Sequence, residues 1–271
     1  MNWTDTLVKF CGEYNIPIEY LADVLSDPKV VPMIRGKAFE FSVAATLSKI
    51  LNPNEWKVDK PIVNSQLGLH DTDVRVTHLQ SQKVLTVECK LAKNGSYRRI
   101  PSNKLSSGYV NQVSVKCMRS RTLGTEMVEK LAPKLGVSEK VLAVHNDQYL
   151  PSNFDVVITS IGNAFYKTNS QTKEFEWNPT LQAIKFLQTI NSNSIELKDF
   201  AFSCMYIAKS NDIAINHSTG VVCTRKKCDN PTNCGFIPNY PIILFEDGNK
   251  VPLLRWVSIE DSESLLTTLI I

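Results

Sequence analysis

Nothing in this 271-residue sequence approaches the roughly 20 consecutive apolar residues that a membrane-spanning helix requires. The amino terminus, Met1 to Cys11, has neither the basic start nor the apolar stretch of a secretory signal, so a cytoplasmic protein is expected. Paired cysteines are missing as a pattern: seven of them, an odd number at irregular spacing, argue against a disulfide framework and for reduced thiols. There is no internal repeat, no low-complexity tract and no linker-like concentration of Pro and Gly, which favours one body over two. A Gly-rich phosphate loop and a Ser-His-Asp arrangement are absent as well, removing two large enzyme classes. The formal net charge is only +3, too small to imply a nucleic-acid partner by itself, since phosphate binding depends on how charge clusters.

With 43% hydrophobic residues, the chain has enough apolar side chains to bury a substantial core. Leu7, Val8 and Cys11, then Ile18, Leu21, Val24 and Leu25, recur at helical spacing around a break at Asn15 to Pro17, giving two short helices. A stronger helix is predicted after Gly36, where Phe39, Val43, Leu47, Ile50 and Leu51 form one stripe with Glu40 at its edge and Asn52-Pro53 ends it. Strands are expected over Trp56–Val63, Asp73–His78, Lys83–Leu91 and Asp155–Thr159, and a pairing segment over Ala164–Thr168. Pro179–Ile190 reads as a helix capped by Asn178. The chain is therefore expected to be one α/β (α+β) domain, 1–271, with a central mixed β-sheet flanked by helices. Its parts are a helical segment (1–52), a core of about 35–190 and a strand- and turn-rich region (200–271).

Asp73–His78 and Lys83–Leu91 form a hairpin whose simplest register centres the turn between Gln80 and Ser81. That register pairs Val74 with Val87 and Val76 with Leu85, so one face buries. On the other face Asp73 meets Glu88, with Lys90 two residues further on. Two carboxylates about 4 Å apart repel by roughly 4 kcal/mol at an effective dielectric near 20, so a compensating cation is called for. Hard oxygen ligands suit Mg²⁺, and a metal beside an ammonium suits phosphodiester hydrolysis. Asp71 is a rival for Asp73 but falls beyond the Lys90 end of the hairpin. Glu196-Leu-Lys198 repeats the Glu-x-Lys pattern without an apolar strand before it.

Asp73-Val-Arg-Val, a turn, and Val84-Leu-Thr-Val-Glu88-Cys-Lys90 together resemble the core motif of the PD-(D/E)XK nuclease superfamily, which includes many type II restriction endonucleases. The likeness takes in Gly36-Lys-Ala-Phe-Glu40 and spans about residues 35 to 120, with Thr72 where the family name has proline. It implies a restriction-endonuclease-like core, Asp73 and Glu88 as Mg²⁺ ligands, Lys90 acting on the attacking water and Glu40 as an auxiliary acid.

Between Leu91 and Thr125 lie seven basic residues and no acidic one: Lys93, Arg98, Arg99, Lys104, Lys116, Arg119 and Arg121. Interleaved hydrogen-bonding residues, Asn111 and Gln112 among them, make this segment the expected double-stranded DNA contact beside the acidic site. The expected activity is Mg²⁺-dependent, sequence-specific DNA cleavage by a homodimer, because a symmetric duplex offers two scissile phosphates and each chain one site. A structure-specific repair or recombination nuclease, and a non-catalytic DNA-binding module, are the alternatives.

Cys223, Cys228 and Cys234 fall among polar residues, and His217 or Cys204 is a conceivable fourth ligand for zinc. The gaps of four and five residues are not those of the usual zinc motifs. Packing from Phe236, Ile237 and a Tyr240–Phe245 strand is expected to hold this loop instead. His70 is expected to support the acidic site, with His78 and His145 on the surface.

Overall fold

The computed structural model of the chain describes residues 2–61, 72–192 and 196–270. Its helices are α1 (Trp3–Glu13), α2 (Leu21–Ser26), α3 (Val30–Ile50), α4 (Thr125–Leu135), α5 (Glu139–Val144), α6 (Leu181–Ile190), α7 (Leu197–Ser203) and α8 (Ser262–Ile270). The strands are β1 (Trp56–Asp59), β2 (Val74–His78), β3 (Val84–Leu91), β4 (Arg98–Pro101), β5 (Tyr109–Ser114), β6 (Val156–Ser160), β7 (Tyr166–Thr168), β8 (Phe175–Trp177), β9 (Met205–Lys209), β10 (Ile242–Glu246), β11 (Pro252–Leu253) and β12 (Val257–Ser258).

A mixed six-stranded sheet, β1-β2-β3-β6-β9-β12, is the centre of the fold. Its one parallel pairing, β3 with β6, is closed by the long crossover that contains β4, β5, α4 and α5. Asp155 fixes that junction, accepting hydrogen bonds from the Thr86 amide (2.7 Å) and hydroxyl (2.8 Å) just ahead of β6. Against one face of the sheet, α3 sets Phe39, Val43 and Leu47 onto Val74, Val76, Leu85, Val87 and Ile158, and Leu266 of α8 joins them. The opposite face packs Val157, Tyr206 and Ala208 against a four-stranded antiparallel sheet, β11-β10-β5-β4, and against α6. Removing apolar side chains of this size from water contributes roughly 1.5–3 kcal/mol each, so both layers hold the site's strands firmly.

The expected mixed sheet flanked by helices is present, with local differences that have physical causes. α3 starts at Val30 and not after Gly36, because the Asp27 carbonyl accepts from the Val30 and Val31 amides, each at 2.9 Å. Pro32 falls in the first turn, where a missing N–H leaves no bond unmade. α6 is capped by Thr180, whose hydroxyl accepts from the Ala183 amide at 3.2 Å; Asn178 precedes Pro179, which disfavours a helical conformation there. The helices α4, α5, α7 and α8 are not among the elements expected from the sequence. In the amino-terminal pair the expected apolar stripe exists, yet only Cys11 is buried, while Val8, Ile18, Val24 and Leu25 are exposed. Of the strand expected over Trp56–Val63 only Trp56–Asp59 is found, as β1; Lys60 and Pro61 are outside it, and Ile62 and Val63 lie outside the described residues.

Candidate active site on the β2–β3 hairpin

The hairpin register is the expected one: Val74 pairs with Val87 and Val76 with Leu85. Continued by one residue, it brings Asp73 opposite Glu88 at the open end of the hairpin. The Asp73 Oδ2 accepts from the Cys89 amide at 2.8 Å, tying the carboxylate across the two strands. Glu88 Oε1 receives the Lys90 ammonium at 2.6 Å and the Tyr149 hydroxyl at 2.9 Å, the latter reaching in from the loop after α5. From the other layer α3 delivers Glu40, whose Oε2 is bonded to Lys37 (2.9 Å) and Lys60 (2.5 Å). Glu40 and Glu88 are both buried.

The electrostatics follow from crowding three acids into a partly dry corner. Burial pushes the Asp73 carboxyl up to about 7, with the Glu88 and Glu40 charges adding to the rise and the Cys89 amide and Lys90 opposing it. Burial disfavours the Lys90 ammonium, but the adjoining Glu88 carboxylate, with Tyr149 and Asp73, outweighs it and holds Lys90 protonated. Tyr149 is likewise held in its neutral, hydrogen-bond-donating form by burial and by Glu88. Arg119 stacks over the Tyr149 ring at 4.9 Å and donates to the Gln148 carbonyl and to Asn153 Oδ1, bracing that loop.

In each of the three carboxyls one oxygen is hydrogen-bonded, and the other has no partner among the described residues: Oε1 of Glu40, Oδ1 of Asp73 and Oε2 of Glu88. Carboxylate oxygens of this kind are the hard donors that a small divalent cation takes, and the Lys90 ammonium stands beside them as a fixed positive charge and not as a ligand. Asp73 and Glu88 would hold the cation, with Glu40 in support. His70 and Asp71 lie outside the described residues.

Two parts of the arrangement escaped the sequence. Tyr149 is 61 residues from Glu88, and no spacing rule connects them. Lys60 reaches Glu40 only because β1 runs antiparallel to β2 in the sheet that α3 covers.

The basic segment after Lys90 divides into two groups. Lys93, Arg98, Lys104, Lys116 and Arg121 have exposed side chains, Lys93 stacking on the Tyr240 ring at 4.4 Å. Arg99 is exposed too but is paired with Asp247 at 2.6 Å and stacked on Tyr109, so its guanidinium already has partners within the protein. Arg119 is committed to Gln148 and Asn153, as above. Asn111 does not offer itself to a ligand: it is 1% exposed, accepting from the Tyr97 hydroxyl and donating to Asp247. Gln112 is partly exposed beside a groove also lined by Arg225, Tyr240 and Trp256.

Both histidines expected on the surface are buried. His78 packs tilted against Trp56 and its Nδ1 meets Ser81 Oγ at 2.9 Å, stabilising the hairpin turn. His145 is 1% exposed and lies beside Cys223, Cys228 and Cys234, whereas His217 is exposed and Cys204 is bonded to the Tyr206 hydroxyl elsewhere. Glu196-Leu-Lys198 stands at the start of α7, away from any strand.

No protein-family model, no curated protein and no solved structure matches the chain.

Proposed function

We propose that the chain is a Mg²⁺-dependent, sequence-specific double-stranded DNA endonuclease of the restriction type, working as a homodimer. The observation that carries this reading is the convergence of Asp73, Glu88 and Lys90 at the open end of one hairpin, with Glu40 arriving from the helix before it. That set matches, residue by residue, the motif through which the sequence resembles the PD-(D/E)XK nucleases. Mg²⁺ bound to the carboxylates would neutralise charge developing on the phosphate and acidify a water. The protein's own contribution is positional. Lys90, fixed beside Glu88, would act on the attacking water or a phosphate oxygen and so orient them. Tyr149 and Lys90 together fix one oxygen of Glu88, leaving the other aimed by a rigid side chain. The exposed cations Lys93, Arg98, Lys104, Lys116 and Arg121 follow Lys90 in the chain and supply attraction for a polyanion.

Plasmid DNA incubated with the protein and Mg²⁺ tests the reading. Discrete fragments are expected. A smear would replace sequence specificity by structure-directed or nonspecific cleavage, and retained DNA without products would make the chain a binding module. Sequencing the fragment ends then gives the recognised bases.

A further inference from the structure

The three cysteines that sequence spacing leaves unexplained meet a histidine from a distant helix end. One ligand atom from each of His145, Cys223, Cys228 and Cys234 falls within 4.8 Å of all the others. Zinc with Zn–S near 2.3 Å places tetrahedral sulfurs about 3.8 Å apart, so closing this cluster around an ion asks for sub-ångström movements. We propose that these four residues form a structural Cys₃His zinc site.

The surroundings are those a zinc ligand set needs. His145 Nδ1 lies 2.5 Å from Gln148 Oε1, and the Gln148 amide group donates to the Ile237 carbonyl at 2.9 Å, which fixes Oε1 as the acceptor. Nδ1 therefore carries the hydrogen, and Nε2 is the nitrogen with a lone pair for the metal. The ring is locked further by stacking on Phe236, 4.3 Å between centroids and 12° from parallel. Such outer partners orient and strengthen metal-bound imidazoles generally. On the sulfur side, the Arg225 amide points at Cys223 Sγ from two residues on, at 3.4 Å, and the Phe236 amide makes the same contact with Cys234. Backbone N–H groups aimed at sulfur are the partners that metal-bound sulfurs accept from and that hold them in place. All the cysteines are free, and a disulfide between any two of these would leave the third thiol and the oriented histidine without a purpose. A Zn²⁺ held by three thiolates and a neutral imidazole carries a net charge of −1, and Lys226 and Lys227 stand in the same loop to balance it.

The site explains how a turn-rich loop lacking regular structure is held. It fastens residues 223–234 to the end of α5, alongside the Arg225–Asp147 ion pair and the Ile237-to-Tyr149 backbone bond. Tyr149, the partner of Glu88, is four residues from His145.

Elemental analysis of the full chain purified without chelator is expected to find about one zinc per chain. Cys228→Ser and His145→Ala should lose most of it, while Cys204→Ser and His217→Ala keep it. Because a ligand variant can misfold, wild-type protein stripped at low pH is also titrated with Co²⁺ alone. Intense thiolate charge-transfer and tetrahedral d–d bands, abolished by added Zn²⁺, are expected. Protein that contains no zinc and develops no cobalt bands overturns the site, as does full zinc retention in both ligand variants. None of these readouts involves DNA, so they stand apart from the nuclease reading.

Discussion

At the scale of single residues, the active corner is a place where stability and chemistry oppose each other. Lys90→Ala is expected to lower cleavage by roughly 10² to 10⁴-fold while DNA binding persists, since the ammonium orients reacting groups and contributes little to holding the duplex. It also strands the buried Glu88 charge, so a stability loss of up to about 3 kcal/mol should accompany it in a denaturant titration. Asp73→Asn should abolish cleavage equally but raise metal-free stability, because it removes one member of a mutually repelling set. Near wild-type activity in either variant would dismiss the catalytic assignment. Glu40→Gln is expected to cost about tenfold, as its charge is already shared with two lysines. The raised Asp73 value has a definite consequence for pH. Its folded value, about 7, lies above the unfolded value near 3.8, so the folded state binds the extra proton and its stability contribution is complete below pH ~4. That contribution is lost as pH rises through 7. Thermal melts in Mg²⁺-free buffer should fall over this window, more steeply for wild type than for Asp73→Asn, and added Mg²⁺ should flatten the fall. Melts of the two proteins with parallel pH dependence would refute the shift.

At the scale of elements, the hairpin was readable because period-two burial and a four-residue turn leave one register that buries both valine-containing pairs. Glu40 could be placed near it since Phe39, Val43 and Leu47 of α3 recur at helical spacing and cover the same face, although Met33 and Phe41 leave other faces of the helix apolar too. What could not be read is long-range convergence. Tyr149, Lys60 and His145 reach their partners through tertiary packing that no local pattern encodes. α4 and α5 went unread although α4 is plainly amphipathic; their apolar residues pack on a small satellite core around Phe236 that only the fold reveals. The cysteine loop misled for the same reason: its fourth member sits 78 residues before Cys223 in the sequence. The basic segment, continuous in sequence, is split by the fold, and this changes what substitution should do. Lys93→Ala, Lys116→Ala and Arg121→Ala are each expected to weaken binding to any DNA and to lower the salt slope by about 0.9 for each phosphate contact removed. Arg99→Ala should change the slope less, as Asp247 already holds that guanidinium. Equal slopes for Arg99 and the three exposed cations would mean that the Asp247 pair opens on DNA.

At the scale of the whole molecule, the outstanding feature is an apolar surface at the amino-terminal end. Trp3, Tyr14, Tyr20, Met33 and Phe41 are 75, 65, 58, 71 and 63% exposed, alongside Val8, Phe10, Ile18, Val24 and Leu25. Scattered apolar side chains are ordinary on protein surfaces, but with Ile34 these make eleven between Trp3 and Phe41, a density of exposed apolar residues that invites a partner. The proposed function supplies an occupant. Cutting both strands of a symmetric site requires two catalytic corners related by a twofold axis, and a self-complementary helical face gives that relation without any further component. Since α3 carries both Glu40 and the exposed Met33 and Phe41, pairing through this face would set the two active corners at a fixed spacing. Light scattering should therefore return twice the 30.4 kDa chain mass, and Trp3→Glu combined with Tyr14→Glu should return a single mass and a melting point that no longer depends on protein concentration. In that double variant cleavage of both strands should collapse to nicking. A wild-type protein that is monomeric with DNA bound, yet makes double-strand breaks in one encounter, would remove the twofold arrangement.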